Sequence, residues 1–255
     1  MIRLRAIATN TFREAIRDRV LTSLLFFAVL VIMGSLAVES VTIGDQAKVV
    51  RSFAFGAIRF FGAMIALFLG VGLVYKELER KTIYTIVSKP ISRGLFLIGK
   101  FTGLMAVIGV QLIAMGGLYV LLMGLTQGAP HSGFYTALLM VWIELGLLVS
   151  WAILFSTSST PTTAALFSLS IFFIGNLADD IWYYGQKAES ESLRMVAETL
   201  YWVLPNFQIL NGSHAAVHEQ PIASAQIVSS LSYGLGYTMA VLSLAIFVFS
   251  RRDFK

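Results

Sequence analysis

Six apolar runs of roughly twenty residues constrain this chain more than any other feature. They cover residues 20–38, 58–75, 95–123, 134–155, 162–182 and 227–249. A helix needs about 20 apolar residues to cross the hydrocarbon core of a bilayer. A backbone in lipid must satisfy its own hydrogen bonds, and the helix does so within a single segment. A β-barrel would instead show short alternating strands of about 10 residues, and none are legible. The composition agrees: the chain is 57% hydrophobic and 13% charged, too little charge to clothe a soluble domain of this length. The expected fold is therefore an all-α membrane protein with six spans, forming one transmembrane domain over residues 1–255. The third run exceeds the bilayer thickness and is expected to tilt or to extend beyond it.

Charge placement orients the spans. With an even number of crossings, both termini lie on one side. That side holds Arg3, Arg5, Arg13, Arg17, Arg19, Lys76, Arg80, Lys81, Lys89, Arg93, Lys100, Arg251, Arg252 and Lys255, fourteen of the nineteen basic residues. The other side keeps Lys48, Arg51, Arg59, Lys187 and Arg194. The excess of Lys and Arg on cytoplasmic loops places both termini in the cytosol. The net charge of +5 reflects this placement and not a nucleic-acid partner. The absence of cysteine excludes a disulfide framework and thiol catalysis. The first apolar run starts behind a charged segment and no small-residue cleavage site follows it, so no cleavable signal peptide is expected.

Residues 1–19 precede the first span and repeat apolar side chains at three and four. Leu4, Ile7, Ala8, Thr11, Phe12, Ala15 and Ile16 share a face, with Arg13 and Arg17 on another. Such a helix suits the inner interface, its apolar side at the acyl boundary. The outer segment 183–226 contains a second amphipathic stretch, Leu193, Val196, Ala197, Leu200 and Val203, which Leu204-Pro205 should end. Its apolar face implies packing on the membrane or on the bundle. Between the fourth and fifth runs, Thr160-Pro161 reads as an N-cap and first helical residue.

Residues 76–100 join the second and third runs and carry six of the basic residues. Helix-forming charges and an apolar set (Leu78, Ile83, Ile86, Val87) predict a helix over 76–87. Lys89-Pro90 ends it, because the residue before proline is pushed out of the α region. Ser92 can cap the next helix. A basic topological anchor would need less pattern than this helix-turn-helix, which suits docking to a soluble partner. Gly94 to Lys100 matches the first seven positions of a phosphate-binding loop, but Phe101 stands where that loop needs a hydroxyl for magnesium and no strand precedes it. The stretch reads as the membrane entry of the third span, and this chain is not expected to hydrolyse ATP itself.

Few residues within or beside the spans suggest chemistry. Glu144 lies near the centre of the fourth run. It reads either as a proton or cation site, or as a protonated carboxyl bonded to Gln111 or a serine of a neighbouring helix. Asn176 and Asp179 end the fifth run, ahead of an interfacial Trp182-Tyr183-Tyr184 belt. With Glu144 and Gln111 they form the candidate pathway set. His214 and His218 are four apart with Glu219 next. That spacing could seat a metal on a helix but falls short of a complete ligand set, so no metal site is assigned. Small residues at four-residue spacing, Gly62, Ala66 and Gly70, then Gly99 and Gly103, allow close helix approach or dimerisation.

The residues Glu77-Leu78-Glu79-Arg80-Lys81-Thr82-Ile83, Ser88-Lys89-Pro90-Ile91-Ser92-Arg93 and Gly99-Lys100-Phe101, with Leu204-Pro205-Asn206-Phe207 in the outer segment, resemble the membrane subunits of ABC-2-type ABC transporters. The branch that includes the nitrous-oxide-reductase maturation permease is the most similar. The resemblance covers nearly the whole chain. It implies a non-catalytic half-transporter in a bacterial inner membrane, paired with a second permease chain, most simply as a homodimer, and serving as an exporter. Two copies of a separate ATPase subunit would carry ATP and magnesium, leaving no cofactor in this chain, and a periplasmic accessory protein could join them. Residues 76–94 become the coupling loop, with Glu77, Glu79, Arg80, Lys81, Ser88, Lys89, Pro90 and Arg93 at the ATPase contact. Residues 1–19 become the interfacial connecting helix. Two other readings stand beside it: an ion-coupled secondary carrier using Glu144, and a membrane assembly factor that transports nothing.

Overall fold

A computed structural model describes residues 2–39, 45–79, 92–126, 128 and 130–251, with the backbone alone at 2, 38–39 and 73–79. Among the described residues every regular element is helical. The chain runs α1 (Ile2–Ile16), α2 (Arg19–Glu39), α3 (Gln46–Glu79), α4 (Arg93–Thr126), α5 (Ser132–Ser158), α6 (Pro161–Asn176), α7 (Ala178–Gln186) and α8 (Glu191–Val203). A 3-10 turn (Phe207–Leu210), α9 (Ser213–His218) and α10 (Ser224–Arg251) complete it. Five helices, α2, α3, α4, α5 and α10, are long and apolar enough to cross a membrane, and the bent pair α6–α7 makes six if it is counted as one span. The protein is thus an all-α, multi-pass membrane protein.

α3 and α5 form the centre, α2 lies on α3, and α10 lies on α5. In the apolar windows of α3 and α5, 67% and 72% of residues are buried, against 22% in α2 and α10. The last two are therefore left largely uncovered by the chain's other helices, with Phe26, Phe27 and Met33 of α2 and Met239 and Phe247 of α10 exposed. Small residues set the central seam. A Cβ at Gly62 would lie 2.9 Å from Leu145 Cδ1, and one at Gly70 would lie 2.7 Å from Ala152 Cβ. Ser156 Oγ donates to Val71 O across the same seam at 3.3 Å. The Gly62-Ala66-Gly70 spacing is therefore used within the chain.

The amphipathic face of α1, expected at the acyl boundary, instead docks on the first half of α4, where Gly99 and Gly103 leave room for it. Thr11 and Ala15 are fully buried, while Ile16, read as part of that face, is exposed. Gly99 and Gly103 make the close approach: an added Cβ would sit 2.7 Å from Ile7 Cγ2 at the first and 2.6 Å from Ala8 O at the second. This second small-residue pair is also spoken for inside the chain. Gly103→Leu must push α1 away, because a backbone oxygen cannot yield as a side chain would, and the cost is about 1–3 kcal/mol. Limited trypsinolysis in detergent should then cut at Arg13 and Arg17 faster than in the parent protein.

The expected caps are present. Leu95 N donates to Ser92 Oγ at 3.3 Å, and Thr160 caps α6 with Pro161 at its first position. The stretch 94–100 that mimics a phosphate-binding loop is part of regular helix. Its Lys100 is buried with Nζ 3.7 Å from Glu14 Oε2 of α1.

Two expectations about the spans need correcting. The second span begins at Gln46, twelve residues before the apolar run. Lys48 and Arg51 lower local hydropathy without breaking the helix. Asp45 caps its first turn through Lys48 N, at 3.4 Å, and hydrogen bonding to Lys48 holds the Asp45 carboxyl below its ordinary range. Arg51 pairs with Glu219 at 2.9 Å. At its other end α3 continues unbroken to Glu79, so the charged segment begins as an extension of the span and not as a separate helix at Lys76. The fifth run is not one helix over 162–182: α6 ends at Asn176 and α7 departs at 58°.

Candidate functional site

The polar residues of the bundle converge where α6 ends. Glu144 stands twelve residues from Ser132 and fourteen from Ser158, about 18 Å and 21 Å along α5, so it lies near mid-membrane. It is completely buried. Its partner is Arg59 of α3: Nε reaches Oε2 at 2.9 Å and Oε1 at 3.1 Å, and Nη2 reaches Oε1 at 2.8 Å. This fork-on-carboxylate geometry is the strongest side-chain pairing available. The Arg59 side chain is 17% exposed, so both charges sit in a low-dielectric interior where each requires the other.

Arg59 Nη2 also donates to Asn176 Oδ1 at 2.6 Å. The guanidinium therefore faces the C-terminal end of α6, where unpaired carbonyls carry partial negative charge. Asn176 Nδ2 bonds back to Phe172 O at 2.8 Å. The Asn176 carbonyl accepts from Gln208 Nε2 at 2.7 Å. The side chain of a residue 32 positions later thus satisfies a carbonyl at the end of α6.

Leu204-Pro205-Asn206-Phe207 and the turn after it fill the space beyond the break. Asn206 Nδ2 donates to Asp179 Oδ1 at 2.6 Å, its own amide donates to Tyr233 Oη at 2.8 Å, and its Oδ1 accepts from Gln208 N at 2.9 Å. Asn211 Nδ2 donates to Gln208 Oε1 at 3.0 Å, and Ser230 Oγ of α10 donates to Ile209 O at 2.8 Å. Phe207 is fully buried, against Gly175, where an added Cβ would lie 2.5 Å from its Cδ2. One connected set of hydrogen bonds thus ties α3, α5, α6, α7 and α10 to the outer segment.

Of the four candidate pathway residues, Glu144, Asn176 and Asp179 join this network. Gln111 does not: it is buried in α4, and its Nε2 has no hydrogen-bond partner among the described residues. The expected bond from Glu144 to Gln111 or a serine is replaced by the Arg59 pair. Arg59, counted with the outer flank, is instead inside the bundle. The signal was available, since Arg59 lies within the apolar run 58–75, where a charge needs a partner.

Of the coupling candidates, Arg80, Lys81, Ser88, Lys89 and Pro90 lie outside the described residues, and Glu77 and Glu79 are placed by their backbone at the end of α3. Arg93 donates through Nη1 to Phe249 O and Ser250 O, at 3.1 and 2.8 Å, so it binds the last carbonyls of α10. His214 and His218 stack at 4.4 Å between ring centroids, while Glu219 is engaged by Arg51. No cluster of three metal-binding side chains occurs among the described residues. The second amphipathic stretch forms α8 and ends at Leu204 as expected. Within it only Ala197 is buried, while Leu193, Val196 and Val203 stay exposed, so most of that face is not packed on the bundle.

A family model described as ABC-2 family transporter protein matches residues 5–254. The chain belongs to the ABC-2 transporter family. It is accordingly a membrane permease subunit of an ABC transporter, and the family implies an ABC ATPase as its partner. The match identifies the family without selecting a branch. No curated protein matches the permease at a significant level. Within the permease, the Arg59–Glu144 pair neutralises the one buried intramembrane acid of the candidate set.

Proposed function

We propose that the permease is the transmembrane half of an ATP-driven exporter in a bacterial inner membrane. It works as a homodimer over two separate ATPase subunits, and both termini lie in the cytosol. The observation that carries this reading is the family match across residues 5–254. The basic excess at the end bearing the termini supports the orientation. Residues 76–94 meet the ATPase, with Glu77, Glu79, Arg80, Lys81, Ser88, Lys89 and Pro90 at the contact. Arg93 stands at its edge, where it also fastens α4 to α10. The continuation of α3 to Glu79 supports this assignment, because it makes residues 76–79, where the contact segment begins, an extension of a membrane helix. ATP and magnesium are held by the partner chain.

The test is purification of the tagged permease from membranes of its own host. A soluble ATPase of the Walker type is expected to co-purify in equal amount and to hydrolyse ATP in the complex. Recovery of the permease without such a partner, together with uptake or efflux driven by an ion gradient, would contradict the reading.

A further inference from the structure

We propose that Arg59, Glu144 and Asn176 form a latch that holds the outer half of the transport path shut, and that α3 is the rod that works it. This rests on the proposed coupling of residues 76–94 to an ATPase. α3 runs without interruption for 34 residues, about 50 Å at the rise of an α-helix. Arg59 stands twenty residues, about 30 Å, from Glu79, so one rigid element joins the segment that meets the ATPase to the mid-membrane network. Between these points α3 meets α5 closely across Gly62 and Gly70, where Leu145 and Ala152 of α5 approach the α3 backbone. Arg59 is the strong polar fastening on that seam, with three contacts to Glu144 within 3.1 Å.

What the latch holds is the broken span. α6 stops at Asn176, and the outer half of its path is completed by α7 and by the segment around Asn206 and Gln208. That segment reaches α6 through the Asn176 carbonyl, and Asn176 reaches α3 through Arg59. An axial shift or rotation of α3 that carries the guanidinium away from Asn176 loosens α7 and the 204–211 segment together. A fork of donors on a carboxylate is either seated or unseated, which gives the arrangement two discrete states, as transmission over a distance requires. Arg59 is thus a positioning residue for transport. Its role does not call for contact with the substrate.

The permease contains no cysteine, so labels can be introduced without clearing a background. Spin labels at Lys48, on the outer end of α3, and Thr199, on exposed α8, report the separation of rod and outer segment. Labelled chains are mixed with excess unlabelled chains, assembled with the co-purified ATPase in phosphatidylethanolamine–phosphatidylglycerol vesicles, and measured by pulsed EPR without nucleotide and with ATP plus vanadate. The parent protein should give a narrow distance that shifts by several ångströms on trapping. Arg59→Met with Glu144→Leu removes both charges and leaves neither unpaired. It should broaden the nucleotide-free distribution and reduce the shift to under a third, with ATP hydrolysis continuing uncoupled from it. Arg59→Lys, which keeps the charge but loses the fork, should fall between and covers the case in which the double variant fails to assemble. A double variant, or failing that Arg59→Lys, with the parent's distribution and shift would overturn the latch. So would a parent complex that hydrolyses ATP with no shift at all; both outcomes leave the permease assignment standing. Failure of the parent permease to associate with an ATPase would instead strike at the underlying functional reading.

Discussion

Glu144→Ala is expected to destabilise the permease by about 3–5 kcal/mol, the cost of stranding one member of a buried ion pair. The substitution leaves the Arg59 guanidinium mid-membrane with Asn176 Oδ1 as its remaining partner within this cluster. Glu144 is fully buried, so water cannot replace the lost carboxylate without opening the bundle. Glu144→Gln should cost less, because the amide oxygen still accepts from Arg59, although it gives up the charge-assisted share of the bond. Removing both charges with Arg59→Met and Glu144→Leu should recover much of the loss, since an apolar replacement of a buried pair is often neutral. Thermal unfolding of the purified protein in detergent ranks the three variants. A Glu144→Ala protein as stable as its parent would show that the pair does not hold the bundle together.

The second large effect belongs to Gly175, one residue before the break in the fifth span. A Cβ there would overlap the Pro205 carbonyl oxygen and press on Phe207 at 2.5 Å from Cδ2 and 2.9 Å from Cε2. The obstacle is backbone on one side and a fully buried ring on the other, so the neighbours cannot yield. Gly175→Leu must lift the 204–210 segment from the end of α6. That separates Gln208 from the Asn176 carbonyl and Asn206 from Asp179. Overpacking costs about 1–3 kcal/mol, and each buried polar group left without a partner adds about 1–3 kcal/mol. Hydrogen exchange should rise at residues 204–213 while α4 and α5 stay protected. Unchanged protection in that segment would contradict the packing described.

Much of this architecture is readable from local pattern. The apolar face of α1, the extent of α8 up to Leu204, and the caps at Ser92 and Thr160 depend on neighbours within a few positions, where period and capping chemistry are decisive. The features that pattern missed depend on distant partners. Asp45 and Glu219 make sense of Lys48 and Arg51 as helical residues, whereas hydropathy alone treats them as the end of a span. Gly175-Asn176 is a local signal for the end of a helix, but the group that satisfies the Asn176 carbonyl is the Gln208 side chain, 32 residues on. Likewise Glu144 and Arg59 are 85 positions apart, and the acid could be recognised as needing a partner but not matched with one. Gln111 or a serine, the partners expected for it, failed because polarity and depth say nothing about which helix faces which.

The coupling account rests on the end of α3. The direct measurement is association between the permease and its ATPase after the charges at Glu79 and Arg80 are reversed together, as Glu79→Lys with Arg80→Glu. The double variant keeps the net charge of the segment and with it the topology, but it reverses the charge pattern presented to the partner. Membrane levels of the permease should be unchanged, while its apparent affinity for the ATPase falls about 100-fold, equivalent to about 2.8 kcal/mol. Parental affinity and parental ATP-dependent transport in that variant would contradict the claim that this segment receives the stroke.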